Sequence, residues 1–255
     1  MHLSSKNIFF IFLSVAFLSA ATASATVYTF MDTWEENWNN DEQYDGGHGL
    51  GDEWGTPKLH SMNVTIEAGY LTQIDIFLHT DDRYQKFNSL FIDTDWNESD
   101  TKLSSWDFFV HDGGQQNTGW TVGDVPDNGL YAVSDDFEYT FVDDTKNRKG
   151  NPNGIDADFL GLVNDDFTIT YDSSYTQAGT DITAVLSYKF ADLDYLNNGM
   201  GLDISGGFYV AYAPWCANDV MGGGSQVPVP EPATLFLFGT GLAGIATAVR
   251  KKKKN

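Results

Sequence analysis

Ile182-Thr183-Ala184-Val185-Leu186-Ser187-Tyr188-Lys189-Phe190 decides the fold class. Ile182, Ala184, Leu186, Tyr188 and Phe190 recur at every second residue, with Thr183, Ser187 and Lys189 between them. A period of two places the first set on one face of a strand and the second on the other. Working outward, Phe167-Thr168-Ile169-Thr170-Tyr171 alternates in the same way, and Ile74, Ile76 and Leu78 share a face opposite Asp75 and Phe77. Further strands are expected at 63–66, 90–93, 106–110, 130–133, 139–142 and 208–212. Trp106 alternates with Phe108 and Val110, which assigns it to the core. Turn-forming clusters separate these runs, among them Asp112-Gly113-Gly114 and Asn151-Pro152-Asn153-Gly154. No stretch of a dozen residues holds a helical period, and only 192–196 reads as one helical turn. About nine or ten strands in roughly 200 residues point to an all-β, antiparallel β-sandwich of jelly-roll type.

Charge narrows the function. The formal net charge is −22, and residues 26–229 concentrate it, with 35 acids against 8 bases. A phosphate backbone needs Lys and Arg, so a nucleic-acid binder is excluded on charge. A peripheral binder of anionic lipid is disfavoured for the same reason. Hydrophobic residues make up 42% of the chain and aromatic residues 15%, enough apolar material to argue against disorder. A single cysteine, Cys216, leaves no internal disulfide or Cys-rich zinc site and reads as a buried structural thiol.

Both ends read as addresses. Residues 1–25 form a secretory signal peptide: Lys6 gives the positive start, 8–18 is an apolar run of 11 residues, and Ala23-Ser24-Ala25 is a signal-peptidase site. Cleavage between Ala25 and Thr26 would start the mature chain. An ectodomain is expected over 26–221, followed by a flexible linker over 222–229 that begins Gly222-Gly223-Gly224-Ser225 and continues into prolines. After Pro230-Glu231-Pro232 comes an uncharged run of 16 residues, 234–249. As a helix it would be about 24 Å long, short of a hydrocarbon core of roughly 30 Å. Arg250 and four lysines close the chain. A basic cluster stays cytoplasmic, which leaves the ectodomain on the outer face of the inner membrane.

Pro230-Glu231-Pro232, a short Gly-containing apolar span and a basic tail, in that order, resemble the PEP-CTERM sorting signal. The resemblance covers about the last 26 residues. It implies a Gram-negative bacterium, usually one that makes extracellular polysaccharide. It also implies recognition of Pro230, Glu231 and Pro232 by an exosortase, transient anchoring in the inner membrane through 234–249, and delivery to the cell surface or extracellular matrix. A plain tail anchor is the alternative. The segments Gly51-Asp52-Glu53-Trp54-Gly55-Thr56-Pro57, Leu90-Phe91-Ile92-Asp93-Thr94-Asp95-Trp96 and Cys216-Ala217-Asn218-Asp219-Val220 resemble uncharacterised PEP-CTERM ectodomains. More loosely they are similar to DOMON-like and carbohydrate-binding sandwich modules, which would imply sugar, haem or structural calcium as ligand.

Two calcium sites are candidates. Asp93, Asp95 and Asn97 carry oxygen at alternate positions after a strand, as in the first half of an EF-hand loop. Glu98 stands where that loop needs glycine and Ser104 where it needs glutamate, so a looser loop site is the reading, with a plain acidic loop as the alternative. The family resemblance pairs Asp52 with Asn218 and Asp219, which could share an ion if the first and last strands adjoin; Asx turns at each place are the alternative. Trp96 and Trp120 lie in polar loops and are candidates for stacking on sugar, or for capping the core.

Enzyme signatures are few. There is no GxSxG, HExxH, P-loop or CxxC motif. His48, His60, His79 and His111 lie in the mature chain, and nothing places one beside Cys216. A glycoside hydrolase needs only two carboxylates, so it stands as the enzymatic alternative with no residue to single out. The expected function is a non-enzymatic exported protein, calcium-stabilised and associated with exopolysaccharide in a biofilm. A purely structural matrix protein is the further alternative.

Overall fold

The computed structural model describes residues 25–31, 59–79, 89–97, 99, 105–112, 121–122, 128–142, 152–165, 167–204, 206–214 and 221–226. These residues form antiparallel strands and two short 3-10 turns, in keeping with the all-β reading. The first sheet runs β1 (Thr26–Met31), β2 (Leu59–Glu67), β3 (Tyr70–His79), β12 (Ile182–Lys189) and β11 (Ile169–Asp172), with β13 (Leu202–Asp203) also pairing β3. The second runs β10 (Leu160–Asn164), β7 (Gly129–Val133), β5 (Phe108–His111), β4 (Ser89–Asp93), β14 (Gly207–Ala213) and β15 (Met221–Gln226). A third, small sheet joins β6 (Thr121–Val122), β8 (Tyr139–Val142) and β9 (Pro152–Ile155). The chain crosses between the first two sheets from β3 to β4, from β10 to β11 and from β13 to β14. β13 pairs the start of β3, whereas β3 leaves for β4 from its other end at His79, so the first and last of these crossovers lie at opposite ends of the sandwich.

The main core follows the period of two. Val64, Ile74, Ile76, Leu186 and Tyr188 of the first sheet meet Leu90, Ile92, Val110, Phe208 and Val210 of the second. The far side of the first sheet carries Asn63, Asp75 and Ser187, where Ser187 donates to Asp75 at 2.5 Å and Gln73 donates to the same carboxylate. β2 and β3 are joined through Ala68 and Gly69, whose φ values of 53° and 88° are the two positive angles of a type I′ hairpin turn.

The second sheet has no solvated face at its centre. Phe91, Phe109, Tyr131 and Tyr209 point away from the main core into a second cluster with Trp106, Ile155 and the partly buried Tyr139. β9 supplies Ile155, and the Trp106 Nε1 donates to the Tyr139 hydroxyl at 2.6 Å. β4 and β14 are therefore buried at every position. Two-sided burial produces a continuous apolar run in place of alternation. Trp106 is in the core as expected but on the side opposite Phe108 and Val110, because the strand begins only at Phe108. Residues 192–196 form turns, and the short helix is the 3-10 segment Asn197–Gly199.

The stretch expected to open a flexible linker is a strand. Gly222, Gly223 and Gly224 lie in β15, paired with Ala211, Val210 and Tyr209. Glycine is used here for close approach: a Cβ on Gly223 would overlap the Phe30 ring, and one on Gly224 would lie 2.6 Å from both the Phe208 carbonyl oxygen and the Tyr209 ring. The folded body therefore reaches Gln226. Gly223→Ala should destabilise by about 1–3 kcal/mol in urea unfolding. Adding Phe30→Ala empties the contested space, so the double variant should lose less than the sum of the singles; additivity would contradict this packing.

Candidate functional site

Three rows cross the covered face of the second sheet. Phe109, Phe91 and Ala211 form the middle row, and His111, Ser89 and Ala213 form one flanking row. The row at the other flank is set by the pairing of Asp93 with Tyr209 and, one step beyond Ile92 with Phe108, by Asp107 beside Asp93. Asp93, Asp95 and Asp107 each place a carboxylate oxygen within 4.8 Å of the others. Asp93 is 2% exposed, while Asp95 and Asp107 are open to solvent.

Local hydrogen bonds hold this cluster. The Asp95 backbone N–H donates to Asp93 Oδ1 at 3.1 Å, and the Ser105 hydroxyl donates to Asp93 Oδ2 at 3.0 Å. The Thr94 backbone N–H and hydroxyl both donate to Asp107 Oδ2, at 2.7 and 2.6 Å. Burial nevertheless pushes Asp93 up to about 6, against the two hydrogen bonds it accepts, and the charges of Asp107 and Asp95 push the same way. Facing carboxylates on neighbouring strands repel, and only a proton or a cation relieves that repulsion. Hard carboxylate oxygens converging from one loop and the adjoining strand are the donor set that suits Ca²⁺.

The loop site is thus built differently from its expected form. Asp93 and Asp95 lie together in this cluster, and Asn97 Oδ1 accepts from the Ser99 backbone at 2.9 Å and from the Ser99 hydroxyl. Asp107 joins the cluster. Its sequence signal was its place just before the strand that follows Asp93, where a hairpin register brings it opposite. Trp96 is half-buried, its ring 5.5 Å from that of Tyr209 and packed against the second cluster. Asp52, Asn218, Asp219, Trp120 and Cys216 lie outside the described residues, as do Ala23 and Ser24 of the cleavage site, Pro230, Glu231, Pro232 and the apolar span 234–249. Among the described residues no helix is long and apolar enough to cross a membrane.

Among the described residues no histidine joins this cluster. His111 is buried and stacked on Phe109, and burial lowers its pKa to about 4, so it is neutral near pH 7. At the opposite end of the sandwich His79 Nδ1 lies 2.7 Å from Asp181 Oδ2, and the His60 ring lies 5.1 Å from that of His79.

The body is an all-β sandwich with a carboxylate cluster at one end, and its tail assigns its route. Residues 228–253 match the family model of the PEP-CTERM protein-sorting motif. The chain therefore carries the signal of an exported protein that is anchored transiently in the membrane and processed by an exosortase. No curated protein and no solved structure matches the chain.

The Asp93 carboxyl gives a signed pH effect. Its ordinary value is 3.8 and its folded value about 6, so the native state holds this proton more tightly than the unfolded chain. The penalty is absent below about pH 4 and complete above about pH 6, where the gap corresponds to roughly 3 kcal/mol. In chelator-treated buffer Asp93→Asn should therefore melt higher than the wild type at pH 7.5, and the difference should vanish near pH 4. Equal melting temperatures throughout would contradict the burial of an ionisable Asp93.

Proposed function

We propose that the protein is a non-enzymatic module of the cell surface or extracellular matrix, stabilised by calcium at Asp93, Asp95 and Asp107 and associated with exopolysaccharide. The sorting motif at 228–253 is the observation that carries this reading, because it commits the chain to export. An exported module meets calcium at concentrations where loop sites of weak affinity fill. Neutralising a cluster of carboxylates also reduces the self-repulsion of an acidic body. Three carboxylates supply part of the six to eight oxygens that calcium takes, and water or main-chain oxygens complete such a set.

The burial of Asp93 favours a structural role over catalysis. A glycosidase acid must reach the glycosidic oxygen, and a carboxyl that is 2% exposed under a covered sheet is badly placed to do so. Trp96, packed on Tyr209, supports a capping role better than a sugar platform. Polysaccharide association therefore draws on the class of protein that carries the tail. Trp120 is the remaining stacking candidate.

Calcium should raise the melting temperature by mass action, with a stabilisation of about 2.7 kcal/mol at 100-fold excess over Kd. Asp107→Asn and Asp95→Asn should each weaken the response strongly, and Asn97→Ala should leave it nearly intact. A flat response in the wild type would remove calcium from the account. Retention on an exopolysaccharide affinity gel without release of sugar supports the binding role; sugar release lost on one carboxylate substitution would establish the enzymatic alternative.

A further inference from the structure

The two ends of the folded body leave the sandwich at the same place. Thr26, the first residue of β1, pairs with Ile66, which pairs with Leu71, which in turn pairs with Leu202 of β13. After three intervening residues, 204–206, the chain enters β14 at Gly207, and Gly207 pairs with Gln226, the last residue of β15. The short crossover therefore brings the start of β1 and the end of β15 to one end of the sandwich. Aromatic contacts agree: Tyr28 and Phe30 both meet Phe208, at ring separations of 5.2 and 6.1 Å, and Phe30 covers Gly223.

A clasp closes this end. The Gln226 Nε2 donates to the Trp96 carbonyl oxygen at 3.0 Å, tying the last residue of β15 to the loop after β4. Trp96 Cε3 lies 3.2 Å from the place a Cβ on Gly224 would occupy. Only Val227 separates Gln226 from the sorting motif, and only three residues separate Gln226 from Pro230. Fully extended, three residues span about 10 Å, and the seven from Val227 to Ala233 span about 25 Å. The first five residues of the spacer expected over 222–229 are folded into the sheet, so only three residues of sequence separate the described strand from Pro230.

We infer that the end of the sandwich bearing Thr26, Trp96 and Gln226 is the surface presented to the membrane-embedded sorting enzyme, and that β15 is the element that yields to lengthen the chain before 230–232. This inference rests on the sorting reading of the tail. A processing enzyme must take hold of residues on both sides of its motif, and a body held about 10 Å away blocks that approach. Among the described residues β15 ends the second sheet, so its release breaks the pairing with β14 alone. It is an edge strand with three glycines in its six residues, so few side chains of its own hold it. Its release from β14 adds five residues, 222–226, or about 18 Å of free chain.

The test follows tail removal by pulse-chase in cells carrying the exosortase, using the full-length chain. Inserting Gly-Ser-Gly-Ser-Gly after Gln226 supplies the missing spacer and should speed processing. Gln226→Ala opens the clasp at an exposed residue and should speed it by about 2- to 10-fold. In the chain with the insertion, Gln226→Ala should have no further effect, because the motif no longer depends on β15. Melting curves of the variants separate release of one strand from general unfolding. A processed wild type whose rate is unchanged by both the insertion and Gln226→Ala overturns the inference alone. A wild type that keeps its tail overturns the sorting reading on which it rests.

Discussion

The structure depends on one constraint: β4 and β14 must be covered on both faces. Each strand alternates between two apolar layers, so neither face can be left to water without exposing Phe91 and Tyr209 or Ile92 and Val210. The first sheet covers one side, and the hairpin of β8 and β9 contributes to the cover on the other, pinned by the hydrogen bond between Trp106 and Tyr139. The same constraint produces the chemistry. Asp93 continues the row of Ser89 and Phe91, and is therefore carried under the cover with its carboxylate. Its place beside Asp107, one step beyond the pair of Ile92 and Phe108, turns an ordinary strand end into a repelling pair that calls for a proton or a cation.

The end that holds this cluster also holds the entrance and exit of the folded chain. The loop of Asp93 and Asp95 continues directly into Trp96, and Trp96 receives the hydrogen bond from Gln226. Charge, clasp and processing signal are linked in this way through a few residues of one loop. A cation that orders the loop would act on the strand beside the sorting motif, which joins the two proposals physically without making either depend on the other.

Strands with one solvated face were legible in the sequence. The run from Ile182 to Phe190 and the set Ile74, Ile76 and Leu78 read directly from their period, and the structure pairs them in register. β1, β6, β9, β10 and β13 were not anticipated. β10 exposes Leu162 and Val163, and β9 begins in a turn-like Asn-Pro-Asn-Gly sequence, so neither shows an apolar face. β15 was hidden because triple glycine signals flexibility in isolation. The ring of Phe30, nearly two hundred residues earlier, and the facing strand at Phe208 and Tyr209 make the absence of side chains an asset. At the site, Asp93 and Asp95 were legible from local spacing. Asp107 was not, because its proximity comes from hairpin register; the Asn97 side chain closes a local turn with Ser99.

Amide hydrogen exchange of residues 26–229 tests the central claim most directly. If β4 and β14 are sealed between two apolar layers, their amides should exchange only with global unfolding and be the slowest in the chain, while those of β15 should exchange through a lower-energy local opening. Amides of β4 exchanging as fast as those of the edge strands would show that the second layer does not cover the sheet, and would return Asp93 to solvent.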